Sequence, residues 1–311
     1  MNNLKPYMLS VMCDERKKFD AYILRVILAV FSFVYLVLLK CSCFFYDAGI
    51  LKKNKAAAKV ISVGNITLGG TGKTPFTIKL AKKLTAMGKK VSVLIRGYGD
   101  DEPHLLREKL GEIPVLIGKD RVKNAERAIN ELGSDCIILD DGFQHYRIER
   151  DLDIVLIDTT CPFENMRLFP RGILREPLSR LKNADIIILT KSDMGAGNVN
   201  AIRRRLERIN GNIGIAESFY RPVGFKRMNS FESLPLSYIR GRKTAVVSGI
   251  ANPKYFDWLV GNAGAVLRAR FHYPDHHLYR ESNLKAITKR CRDLNIDTVV
   301  TTEKDAVKLN K

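Results

Sequence analysis

The residues best suited to chemistry stand in one short run, Thr67-Leu68-Gly69-Gly70-Thr71-Gly72-Lys73-Thr74. Its composition is that of a phosphate-binding loop. Glycines let backbone N–H groups curl around phosphate oxygens, Lys73 brings a point charge to the terminal phosphates, and the Thr74 hydroxyl suits Mg²⁺. The first position of the general pattern is glycine, and Thr67 stands there instead. A second run, Asp140-Asp141-Gly142-Phe143-Gln144-His145, follows the apolar segment Cys136–Leu139. Carboxylates at the C-terminal end of a strand sit where α/β proteins bind ligands, so Asp140 and Asp141 are candidates to hold Mg²⁺ directly or through water. A chance Gly-rich turn and an Asp-Gly turn are the plain alternatives. A strand before the first run, a helix after it and two adjacent acids weigh against them.

These residues need a scaffold that brings distant segments together. From Lys59 onward, short apolar runs alternate with helical stretches. The expected strands are Val60–Val63, Val91–Ile95, Pro114–Ile117, Cys136–Leu139, Ile154–Ile157, Ile186–Leu189, Thr244–Ser248 and Thr298–Thr301. Continuous Val/Ile/Leu runs belong to strands buried on both faces, which predicts a doubly wound α/β fold with a mostly parallel sheet. The helix after the loop is expected to bury Phe76, Leu80, Ala81, Leu84 and Met87 and to stop at Gly88; its N-terminus favours an anion.

Ala21 to Leu39 is predominantly apolar with Arg25 its only charge, and basic residues flank it on both sides: Lys5, Arg16, Lys17 and Lys18 before, Lys40, Lys52, Lys53 and Lys55 after. The stretch is just long enough to cross a bilayer, and symmetric flanks give no orientation. Membrane attachment is expected, either by spanning or by lying in one leaflet with Arg25 and Lys40 snorkelling. The chain has 52 Lys+Arg against 33 Asp+Glu, a net charge of +19, which points to anionic partners. Nucleic acid is not expected: there is no zinc finger, no RRM-type aromatic motif and no basic arm, and Arg203, Arg204, Arg205 and Arg208 read as a solvated helix face. No protein partner is evident. The cysteines, at 13, 41, 43, 136, 161 and 291, show no metal-ligand spacing and no disulfide framework.

Taken together, the blocks resemble the lipid A 4′-kinases (tetraacyldisaccharide 4′-kinases) over nearly the whole chain. The resemblance rests on GNITLGGTGKTP (Gly64–Pro75), RGYG (Arg96–Gly99), DEP (Asp101–Pro103), GKDR (Gly118–Arg121) and DDGFQHYRIERDLDIVLID (Asp140–Asp158). It continues in LREPLSRL (Leu174–Leu181), SGIANP (Ser248–Pro253), FHYPDHHLY (Phe271–Tyr279) and TTEKDAVKL (Thr301–Leu309). It implies an enzyme that transfers the γ-phosphate of ATP, with Mg²⁺, to the 4′-hydroxyl of an anionic glycolipid, the tetraacyldisaccharide 1-phosphate. It implies work on the cytoplasmic face of the bacterial inner membrane, in contact with membrane phospholipids. By the same resemblance Asp101 is the general base, Glu102 lies near Mg²⁺, and His276 pairs with the base, with His277 as the alternative. Arg171 is a weak match for a phosphate contact.

Two features depart from the family. The excursion between RGYG and DEP is short, which makes Asp100 a competitor for the base, and the chain ends soon after TTEKDAVKL. The expected organisation is an anchoring segment at 1–50, a P-loop kinase core at 51–220 and a smaller α/β lobe at 221–311. A rival reading rests on Thr190-Lys191-Ser192-Asp193, which is similar to the base-reading TKxD of GTPases: a membrane-bound GTPase-like switch that binds a protein partner. The DEP and DHH blocks have no role in that rival.

Overall fold

A computed structural model describes residues 4–97, 101–228, 230, 232–275 and 277–309. Asp100 and His276 lie outside the described residues, as do the side chains of Asp101 and Glu102. The chain divides into two compact units, Met1–Ser218 and Phe219–Lys311.

The first unit opens with two helices, α1 (Leu4–Met12) and α2 (Phe19–Asp47). Val11, Met12, Ala21 and Leu28 pack together where the two helices meet. Strand β1 (Lys59–Gly64) leads through the glycine loop into α3 (Lys73–Ala86), and then follow β2 (Val91–Ile95), α4 (Asp101–Leu110), β3 (Val115–Ile117), α5 (Arg121–Asn130), β4 (Cys136–Asp140) and β5 (Leu152–Asp158). The unit ends with β6 (Ile186–Thr190), α6 (Ala196–Ile209) and β7 (Gly214–Ser218). These seven strands form one parallel sheet in the order β3-β2-β4-β1-β5-β6-β7. The doubly wound fold is the one the apolar runs predict. β1, β2, β4 and β5 are buried over most of their length, because helices cover both faces. Separate apolar clusters line the two faces: Val63, Ala81, Val93, Ile138 and Leu156 on one, and on the other Ile157, Ile187 and Leu189 with Ile202 and Leu206, beside Leu94, Ile137 and Leu139 with Ala125.

The order places β1 between β4 and β5, so three strand ends converge where the glycine loop begins. Two glycines allow the convergence. A Cβ at Gly64 would stand 2.5 Å from the Phe143 Cβ, and one at Gly142 would stand 2.7 Å from that of Leu139.

The second unit begins with a short antiparallel pair, β8 (Phe225–Lys226) and β9 (Ser233–Leu234). It continues through β10 (Lys243–Ser248), α7 (Pro253–Asn262), β11 (Val266–His272), α8 (Glu281–Asp293), β12 (Thr298–Thr301) and α9 (Glu303–Leu309). Its larger sheet is parallel, in the order β11-β10-β12.

Four strands depart from the sequence expectation: the two-residue pair β8 and β9, and the longer β7 and β11. β7 and β11 are edge strands, and their exposed positions carry Glu217, Arg268 and Arg270 instead of a continuous apolar run. Met87 is also exposed, since it caps α3 and does not reach the core.

Candidate active site

The loop between β1 and α3 gets its shape from two left-handed glycines, Gly69 (φ 104°) and Gly72 (φ 90°), a conformation that L side chains rarely adopt. Lys73 and Thr74 follow as the first residues of α3. From inside, the buried Asn65 amide donates to the Thr67 carbonyl (2.9 Å) and to the Thr71 hydroxyl (3.0 Å), and Gln144 donates to the Asn65 carbonyl (2.7 Å).

Thr67 and Leu68 begin the loop. Thr67 bridges Leu174 as a short antiparallel pair, and the Leu68 N–H donates to the Ile173 carbonyl at 2.7 Å. The Leu68 backbone donor is therefore engaged within the protein, as is the Thr71 N–H with the Gly69 carbonyl (3.2 Å), and the pairing with Leu174 anchors the start of the loop.

Asp140 ends β4 and faces the start of α3. Its carboxylate accepts from the Thr77 hydroxyl (3.2 Å), the Thr74 hydroxyl (3.4 Å) and the Asp141 N–H (3.1 Å). Asp141 turns the other way, on a left-handed backbone of φ 53°. It accepts from Arg175 at 2.8 Å and lies 3.5 Å from the Lys73 ammonium. Burial pushes the Asp141 carboxyl up, but Lys73 and Arg175 outweigh it and hold the group below the usual carboxylate range. Arg121, buried at the start of α5, donates to the carbonyls of Asp140 (2.6 Å) and Asp141 (3.0 Å) and so fixes the turn. His145, three residues on from Gly142, is pushed down to about 4 by burial and by Arg121, Arg147 and Arg150.

A third support comes from the end of β6. The Thr190 hydroxyl donates to the Thr71 carbonyl (2.9 Å), and the Lys191 ammonium donates to the Gly70 carbonyl (2.9 Å) while pairing with Asp158. The TKxD run thus puts its threonine and lysine against the underside of the phosphate loop.

Among the expected residues, the structure brings together Lys73, Thr74, Asp140 and Asp141. Asp101 and Glu102 open α4, with only their backbone described, and His276 lies outside the described residues. The alternative, His277, is engaged with Asn283 (3.1 Å) and stacks on Tyr273 at 4.5 Å between ring centres. Arg171 pairs with Asp14 at 2.7 Å. Arg121, Arg175, Thr190 and Lys191 surround the site without having been singled out for it. GKDR and LREP were visible only as blocks, and nothing local in them gives their direction.

A computed family description, tetraacyldisaccharide-1-P 4′-kinase, matches residues 24–101 and 99–311. A tetraacyldisaccharide 4′-kinase of Halothermothrix orenii is 34% identical, over 99% of this chain and 89% of that protein. One of Syntrophus aciditrophicus is 36% identical, over 95% and 87%. A crystal structure of LpxK from Aquifex aeolicus in complex with ATP superposes with a TM-score of 0.67 and 29% identity, covering 92% of this chain and 90% of that one.

Proposed function

Because the chain belongs to the tetraacyldisaccharide-1-P 4′-kinase family, we propose that it transfers the γ-phosphate of ATP to the 4′-hydroxyl of the tetraacyldisaccharide 1-phosphate. The observation that carries this reading is the junction of the glycine loop, Lys73 and the Thr74–Asp140 pair at three converging strand ends.

The site fits a nucleoside triphosphate with a hard divalent cation. The loop from Gly69 to Thr74 offers backbone donors at a helix N-terminus, and Thr74 and Asp140 offer oxygen donors. Among the described residues no cluster of three His, Cys, Asp or Glu side chains is present. Such a cluster is unnecessary, because Mg²⁺ in phosphoryl-transfer sites takes one or two protein ligands beside phosphates and water. Thr74 and Asp140 would hold it, with Glu102 as the further candidate; when bound, the ion neutralises charge on the phosphates.

Lys73 meets the terminal phosphates. Asp141 holds the Lys73 ammonium near the loop's mouth, and Arg175 keeps Asp141 ionised in that position. Asp101 accepts the proton of the attacking hydroxyl. Its placement, rather than its basicity, supplies its effect. His276 is the proposed partner of that base.

The acceptor is an anionic amphiphile, and α2 supports a reading in which the enzyme meets it at the surface of the inner membrane, on the cytoplasmic side where ATP is found. α2 has 29 residues, about 43 Å at 1.5 Å per residue, enough to cross a hydrocarbon core of about 30 Å. Its middle, however, is tied to the nucleotide-binding unit. Ser32 donates to the Leu168 carbonyl (2.8 Å) and Tyr35 to the Arg175 carbonyl (2.9 Å). Near its start, Arg25 joins Asp14 at 3.0 Å, and Asp14 also holds Arg171 and Asn165. A spanning helix would carry these loop backbones into hydrocarbon, where their polar groups lose water. A helix lying in one leaflet immerses Val26, Ile27, Val30, Phe31, Val34 and Leu38, all exposed, and leaves its tethers outside.

The test is transfer of labelled γ-phosphate to the disaccharide acceptor in mixed micelles. Wild type should label the acceptor only with ATP and Mg²⁺ present. Lys73→Ala should abolish labelling, and Asp101→Asn should lower kcat by about 10²–10⁴-fold with ATP affinity kept. Nucleotide hydrolysis indifferent to the lipid would support the GTPase-like switch instead.

A further inference from the structure

The lysine of the TKxD run has a place that base reading does not explain. Lys191 is 3% exposed, lies beyond the end of β6 in a left-handed backbone conformation (φ 55°), and spends its ammonium on Gly70 and Asp158. We propose that Lys191, with Thr190 beside it, is a positioning residue that sets the conformation of the phosphate-binding loop; this rests on the kinase reading above.

The argument begins with peptide geometry. A trans peptide is planar, and its C=O points opposite to the next residue's N–H. Holding the Thr71 carbonyl on Thr190 therefore turns the Gly72 N–H away from the edge of β6. Holding the Gly70 carbonyl on Lys191 likewise directs the Thr71 N–H, which closes a tight turn on the Gly69 carbonyl at 3.2 Å. Two carbonyls in succession face the sheet, so the loop keeps its curvature before a ligand arrives. A loop ordered in advance binds with less entropy lost.

The clamp itself is held from β5. Asp158 offsets the buried ammonium and is in turn oriented by the N–H (2.9 Å) and hydroxyl (2.6 Å) of Thr160. The Thr159 hydroxyl lies between the carbonyls of Thr190 (2.9 Å) and Lys191 (2.8 Å), which share its one proton. Gly195 backs this contact closely: a Cβ there would stand 2.1 Å from the Thr159 hydroxyl. The chain of support runs from β5 to β6 to the loop. An ion pair serving stability alone would be replaceable by neutral residues; a donor to Gly70 would not.

The decisive variant is therefore Lys191→Met with Asp158→Asn, which removes both charges and leaves no unpaired ion. Melting temperature, equilibrium binding of radiolabelled ATP and the KM of each substrate are measured. The expected result is a folded protein whose ATP affinity is about 10–100-fold weaker, the worth of one charge-assisted hydrogen bond, with the acceptor KM unchanged. Thr190→Val, which keeps shape and removes one hydroxyl, should weaken ATP by about 3–10-fold. A folded double variant with wild-type ATP affinity overturns the proposal. Should the double variant not fold, unchanged ATP affinity in Thr190→Val overturns it. Wild-type protein that binds no ATP would instead sink the kinase reading itself.

Discussion

Around the phosphate loop, polar side chains are buried and bonded to residues far away in sequence; along α2, large apolar side chains stand in the open and the polar ones act as tethers. Asn65, Thr71, Asp140, Thr190 and Lys191 are all buried, while Ile27, Val30, Phe31 and Phe33 are each about half exposed or more. Both arrangements would be costly in the other's place. Exposed polar groups at the loop would let water compete for its hydrogen bonds, and buried polar groups in the outward face of α2 would weaken its attraction to lipid. The first region is built to hold geometry, and the second leaves its apolar side chains uncovered.

The contrast can be broken from either side. The largest expected effect is at the loop. Asp140→Asn removes the charge that faces Thr74 and Thr77, and single-turnover phosphoryl transfer should fall by about 10²–10³-fold. Asp141→Asn should cost less, since it loosens Lys73 and Arg175 without removing either; the opposite ranking would exchange the two roles.

A smaller and different effect is expected on α2. Replacing Ile27, Val30 and Phe31 by serine should weaken binding to phospholipid vesicles by at least about 100-fold, from the apolar area taken out of lipid, and leave the melting temperature near wild type. Ser32→Ala with Tyr35→Phe should do the reverse, keeping vesicle binding and costing about 1–3 kcal/mol of stability. If both sets act on melting alone, α2 is a core helix.

The smallest effect concerns pH. His145 titrates near 4 in the folded chain against about 6.5 in an unfolded one, so between these values the unfolded chain binds the extra proton. Stability should fall as pH drops from about 6.5 towards 4, and His145→Gln should flatten that slope in chemical denaturation series. Asp141 adds a loss at lower pH, as its depressed carboxyl is protonated.

Much of this was legible in residues and spacing. The glycine loop is a local device: left-handed positions, a lysine and a hydroxyl in consecutive order declare themselves. The central strands are equally plain, because burial on both faces forces continuous apolar runs. What stayed hidden depends on topology. The donor of Leu68 is spent on Ile173, and the reach of Lys191 to Gly70 spans 121 positions; neither partner has a local signature. The same holds for Arg121 and Arg175, whose targets exist only once β4 lies beside β1.

The tethering of α2 also sets an order of events during synthesis. Ser32 and Tyr35 wait for carbonyls that are made 136 and 140 positions later, and β1 cannot complete its pairing until β5 has emerged. At about 5–20 residues per second, the 136 positions take about 7–27 s to translate. Through that interval the 29-residue helix has only α1, packed at Val11, Met12, Ala21 and Leu28, to rest on. The apolar length of α2 therefore precedes the sheet that fixes its middle, and its place against the nucleotide-binding unit is settled only when the Leu168 and Arg175 carbonyls arrive.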